Sequence, residues 1–133
     1  MKTKKKSAAP PFIEHKYEPP TDIEMSVLSK LCQLPDTTLP QCRAAGVARD
    51  WFSDPACALL WDFITERLEQ GQPLDIVSLI QALNSMGKLS AAGGPPALFE
   101  CLLGTADPNT LPNHLAILRR NRNKHQPPAR STT

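Results

Sequence analysis

The chain has 133 residues, 41% of them apolar and 5% aromatic. This length gives one domain with enough core to fold without staples, and no stretch approaches the ~18 consecutive apolar residues of a membrane span. The formal charge of +2 hides a partition: residues 1–17 carry five Lys against Glu14 (net +4), residues 119–133 carry four Arg and one Lys with no acid (net +5), and residues 18–118 hold five basic and twelve acidic side chains (net −7).

Residues 1–18 mix Lys, Ser, Ala and Pro, a composition that buries too little apolar surface to offset ordering entropy, so a disordered basic arm is expected. Phe12, Ile13 and Tyr17 are its apolar exceptions, able to dock on the body or on a partner. The prolines that follow its lysines replace the apolar run of a signal peptide, and a cytoplasmic location is expected. Lys4, Lys5 and Lys6 are candidate nucleic-acid contacts, although short Lys runs more often only solvate a tail.

A helical domain is expected over 19–122. After Pro19 and Pro20, Thr21 with Glu24 three residues later forms a capping box ahead of Ile23, Val27, Leu28, Leu31 and Leu34, which predicts a first helix ending near Pro35. A short second helix is predicted over 36–46 through Leu39, Cys42 and Ala45. The loop from Val47 to Ser53 then delivers Trp51 and Phe52. Two adjacent large aromatics in a loop seldom both point inward, so Phe52 is placed in the core and Trp51 is a candidate exposed anchor for a partner.

The third helix opens at Asp54-Pro55, where Asp accepts first-turn amide hydrogens and Pro has a suitable backbone angle. Its stripe is Cys57, Leu60, Trp61, Ile64 and Leu68, and Gly71 ends it. Asp75 caps a fourth helix with the stripe Ile76, Leu79, Ile80, Leu83 and Met86, closed by Gly87. A turn-rich link from Lys88 to Gly94 leads to a short helix begun by Pro95-Pro96, carrying Leu98, Phe99, Leu102 and Leu103 and ended by Gly104. The last helix runs from about Thr110 through Leu111, Leu115 and Leu118 to Arg119, Arg120, Arg122 and Lys124. Those four cations suit the negative end of a helix dipole and are equally candidates for nucleic acid or an acidic partner. Pro127-Pro128 rules out continuation, and residues 123–133 are expected to form a disordered basic tail. No pattern of period two appears, so the fold class is all-α: a compact bundle of five or six short helices.

Catalytic chemistry finds no support in these residues. A phosphate cradle needs G-x-x-x-x-G-K-[ST], but Gly87-Lys88 is followed by Leu89 and Gly93-Gly94 by two prolines without amide donors. His15, His114 and His125 are not placed beside a nucleophile, and Glu66 and Glu69 fall on a polar helix face. Cys32, Cys42, Cys57 and Cys101 show neither a C-x-x-C pair nor zinc spacing, so buried reduced thiols are expected. No enzyme, cofactor or metal is expected.

The turns carry a resemblance. F-x-D-P at Phe52 to Pro55, G-x-P-x-D at Gly71 to Asp75, G-x-L at Gly87 to Leu89 and the pair Gly93-Gly94 follow one another in an order that resembles the N-terminal domain of DnaB-type replicative DNA helicases. Upstream, Pro19-Pro20 with Ile23, Glu24, Ser26, Val27 and Leu28 is similar to that domain's opening segment; downstream, Ala97-Leu98 and His114 to Arg119 resemble its closing helices. The likeness covers roughly residues 19 to 120 and lacks the motor domain. It implies an assembly role, in which this head forms a collar on the hexameric helicase, contacts primase and in some systems responds to loaders. In that family the last helix continues into a hairpin that pairs subunits. Here no second arm of the hairpin is expected after Pro127-Pro128, so self-association stays open but the hairpin dimer is not expected. Cys57 stands where relatives commonly carry His. The function expected is a non-catalytic replication interaction module that binds a helicase or primase. The alternatives are a small nucleic-acid adaptor acting through basic tails, or a remnant of a longer helicase gene.

Overall fold

The computed structural model describes residues 20–125, and in it capping chemistry sets where most helices begin and end. The elements are α1 (Pro20–Gln33), α2 (Pro35–Ala45), a 3₁₀ turn (Arg49–Trp51), α3 (Pro55–Glu69), α4 (Ile76–Ser85), α5 (Gly94–Leu103), a second 3₁₀ turn (Pro108–Thr110) and α6 (Leu111–His125). Six helices and no strand among the described residues give the expected all-α bundle. The expected arm over 1–18 lies outside the described residues, as does the tail beyond His125. α6 runs through His125, into the segment expected as tail.

Asp54 accepts from the Ala56 amide at 2.9 Å with Pro55 as the first helical residue, and Asp75 accepts from the Ser78 amide at 3.0 Å. These are the caps expected for α3 and α4. At the other ends, the chain turns back through left-handed Gly46, Gly71 and Gly87. The Gln72 amide bonds Arg67 O at 2.8 Å and the Lys88 amide bonds Leu83 O at 2.9 Å, so each helix's last carbonyls are satisfied.

The start of α1 departs from expectation. The helix begins at Pro20, so Thr21 lies inside the first turn, and the Glu24 carboxylate turns away from its own helix. It accepts from the Ser53 amide at 2.9 Å, the Ser53 hydroxyl at 2.7 Å and the Asp54 amide at 3.2 Å. The expected capping box is thereby replaced by a long-range clamp that fastens α1 to the start of α3.

α1 is the central helix, packed against α2, α3, α5 and α6. Ile23, Val27, Leu28 and Leu31 are buried along it. Burying each such side chain contributes about 1.5–3 kcal/mol. Leu60, Trp61 and Ile64 of α3, Leu79 and Leu83 of α4, Leu98 and Cys101 of α5, and Leu111, Leu115 and Leu118 of α6 complete the core. The Phe52 and Trp61 rings stack with centroids 5.5 Å apart. All four cysteines are free and buried. Burial pushes the Cys42 thiol up to about 11 against the opposing charge of Arg43. Cys57 is raised by burial and by the nearby Asp54 and Glu24 carboxylates.

One glycine is needed for close approach as well as backbone freedom. Gly93 has φ 101°, and a Cβ there would lie 2.8 Å from the Ala97 Cβ. Gly93→Ala is expected to cost about 1–3 kcal/mol from the backbone conformation, with the Ala97 clash added. Gly71→Ala, at φ 70° in open space, should cost only the backbone part. Thermal unfolding of the two variants measures the difference.

Candidate interaction surfaces

The last turns of α6 present the basic cluster expected from sequence, but the structure divides it by role. Arg119 donates from Nη2 to Ala45 O at 3.0 Å, closing the C-terminal end of α2, and its guanidinium lies 5.4 Å from the centre of the Trp51 ring. Arg122 donates to Asp50 from Nε at 3.3 Å and Nη2 at 3.2 Å, tying α6 to the first 3₁₀ turn. Arg120 is exposed. Lys124 continues the helix backbone, and its side chain lies outside the described residues, as do Lys4, Lys5 and Lys6.

Trp51 corrects an expectation. It is 6% exposed and Phe52 is 4% exposed, so both neighbouring aromatics face inward. A 3₁₀ turn makes this possible, because it directs Trp51 toward α6 and leaves Phe52, just past its end, to stack on Trp61 of α3. Trp51 is therefore no protruding anchor. It lines a shallow groove of about 440 Å³ between α2 and α6, with Ala44, Ala45, Leu115, Ala116 and Arg119.

The exposed apolar residues lie elsewhere. Val77 and Met86 project from α4 and its cap, at 59% and 49% exposure, and Phe99 and Leu103 project from α5, at 46% and 75%. Met86, expected in the α4 stripe, is instead the residue that ends that helix. α5 is apolar on more than one side. α1 and α4 pack against it, burying Leu98 and Cys101, and Phe99 and Leu103 remain as an i, i+4 pair in solvent. Four large apolar residues within six positions, Leu98, Phe99, Leu102 and Leu103, hold more apolar surface than one helix face can bury, and that is the sequence signal for this surface.

A second polar contact inside the bundle has no sequence signal. Lys30 is 2% exposed, and its Nζ lies 3.1 Å from His114 Nδ1. With Lys30 as an ammonium, Nδ1 accepts and the ring proton sits on Nε2. Burial pushes the Lys30 amine below the ordinary lysine value, and Asp107 opposes that shift. His114 is half-buried in the first turn of α6, where its ring meets Lys30 of α1.

Among the described residues no group of His, Cys, Asp or Glu is placed to hold a metal ion, and no helix is long and apolar enough to cross a membrane. Residues 18–120 match the family of the DnaB-like helicase N terminal domain, and the chain belongs to that family. The matched region is the N-terminal domain alone. No curated protein gives a significant match to the chain.

Proposed function

We propose that the folded body is a docking module of DNA replication that binds a replicative helicase or a primase and thereby recruits or modulates it. The observation that carries this reading is the extent of the family match: it spans the helical body, residues 18–120, and leaves out residues 1–17 and most of the basic C-terminal segment. The apolar side chains on α4 and α5 supply surface of the kind that protein partners bury.

The test is capture of the replicative helicase and the primase, each purified from the cell that carries this chain, on the immobilised full-length protein. One of the two is expected to be retained. Val77→Glu and Leu103→Lys place charges on the exposed apolar positions in the sense that each helix end favours, so the fold should persist while capture falls at least about 10-fold. Retention of neither partner by the wild-type chain contradicts the docking role.

A further inference from the structure

Three arginines of the body each meet a carboxylate: Arg43 pairs with Glu69, Arg49 with Asp62 and Arg122 with Asp50. Arg119 differs, because its contacts run to neutral groups, the Ala45 carbonyl and the Trp51 ring. It stands at the rim of the groove between α2 and α6, whose other lining residues are all uncharged. Four positions beyond Ala116, and so on the same face of α6, Arg120 is exposed. The cationic end of this groove contrasts with residues 18–118 as a whole, which carry net −7.

The shape of the groove comes from small residues. Ala44, Ala45 and Ala116 add only methyl groups to its walls, and the buried Trp51 and Leu115 form its floor. Walls this low let a third helix approach to the interaxial distance of ordinary helix packing, about 8–10 Å. From Pro112 to Arg119 the groove follows α6 for two turns, about 10 Å.

We propose that this groove docks an amphipathic helix of a partner protein, with aliphatic side chains on the floor and an Asp or Glu beside Arg119 and Arg120. A helix is the form that fits. The interior backbone groups of α2 and α6 are bonded within their own helices, and Ala45 O, at the end of α2, is taken by Arg119. An extended segment in the groove would find no row of amides and carbonyls to pair with, whereas a helix satisfies its own backbone and presents side chains at i, i+3, i+4 and i+7. Nucleic acid is the poorer match, because an apolar floor with cations at one end does not follow a phosphate backbone. The carboxylate would meet a guanidinium already held by Ala45 and Trp51, so little side-chain freedom is lost on binding. The exposed apolar side chains assigned to the replication partner lie on α4, its cap and α5, so the two surfaces are separate and either proposal can fail alone.

The experiment is selection of displayed peptides on the immobilised full chain. The library holds peptides of about 18 residues, long enough to form helix alone, with Leu or Ala at i, i+3, i+4 and i+7 and Glu, Lys, Gln or Ser at the other positions. Enriched peptides are then measured by fluorescence anisotropy against the wild type, Ala116→Glu, Arg120→Gln and Val77→Glu/Leu103→Lys. Ala116 and Arg120 are exposed, so their substitutions should leave the helical signal and melting temperature close to wild type. Enriched sequences should carry Glu clustered at one end of the apolar stripe. Ala116→Glu, which fills the groove and opposes its charge, should weaken binding at least about 10-fold. Arg120→Gln should weaken it about 3-fold at low salt and less at high salt, and the α4 and α5 variant less than about 2-fold. Three results overturn the proposal: no enrichment over a parallel selection on Ala116→Glu, enrichment of Lys-rich peptides, or binding kept by Ala116→Glu and lost in Val77→Glu/Leu103→Lys, which would place the helix on the other surface.

Discussion

Glu24→Ala is expected to destabilise the chain by about 3 kcal/mol or more. The substitution leaves two backbone amides, Ser53 and Asp54, without the buried carboxylate that now accepts from them across a part-buried contact. Each such loss costs about 1–3 kcal/mol. Asp54 cannot take over, because its own side chain is turned inward to the Ala56 amide. Water cannot replace the carboxylate readily either, since Glu24 is 0% exposed. Ser53→Ala removes only the hydroxyl from the same clamp and should cost about 1 kcal/mol. Urea unfolding followed by circular dichroism gives both values. A change of less than about 0.5 kcal/mol for Glu24→Ala, the range of ordinary surface substitutions, would show that α1 and α3 are not joined through this carboxylate.

The second large effect concerns the sign of a pH dependence. Lys30 has its amine pushed down by burial, so between its folded and unfolded values the unfolded chain binds more protons. Its contribution to stability therefore rises with pH across that window and levels off above the ordinary lysine range near 10.4. The cysteines act in the opposite sense. Cys42, Cys57 and Cys101 are all held above the ordinary thiol value, so unfolded thiols release protons first and stability falls above about pH 8.5. For Cys101 the cause is hydrogen bonding with Cys32, followed by burial. Comparing wild type with Lys30→Met between pH 7 and 10 isolates the lysine, because the cysteine contribution is common to both. Lys30→Met should match or exceed the wild type at neutral pH, because it removes the cost of burying the ammonium, offset by the lost contact with His114. Its advantage should shrink as the pH rises. A loss of more than about 2 kcal/mol at neutral pH, with an unchanged pH profile, would contradict this account of the buried ammonium.

Local chemistry was legible in the sequence, and long-range chemistry was not. Asp54 and Asp75 cap their helices, and Gly46, Gly71 and Gly87 turn the chain back, because each acts within a few residues of its own position. Glu24 shows the limit of that reasoning. Its spacing from Thr21 satisfies a capping box, yet the carboxylate reaches amides about thirty positions away. No neighbouring residue marks Lys30 for burial, which follows from packing that brings His114 of α6 to its amine. Trp51 turns inward because the short 3₁₀ turn and α6 make a place for it, which no neighbouring residue reveals. The exposed pair Phe99 and Leu103 lay within a predicted stripe. Which side of an all-round apolar helix is buried depends on which helices pack against it, here α1 and α4.

The central claim is that the folded body, not the basic segments, captures a replication protein. It is tested most directly by the affinity of the full chain for the retained helicase or primase, measured at low and high salt for three proteins. These are the wild type, the variant neutralised at Lys4, Lys5, Lys6, Arg120, Lys124 and Arg130, and Val77→Glu/Leu103→Lys. The account predicts that neutralising the basic residues changes the affinity less than about 3-fold with little effect of salt, while the double substitution on α4 and α5 weakens it at least about 10-fold with the helical signal retained. Loss of binding on neutralising the basic residues, with the double substitution silent, would contradict it.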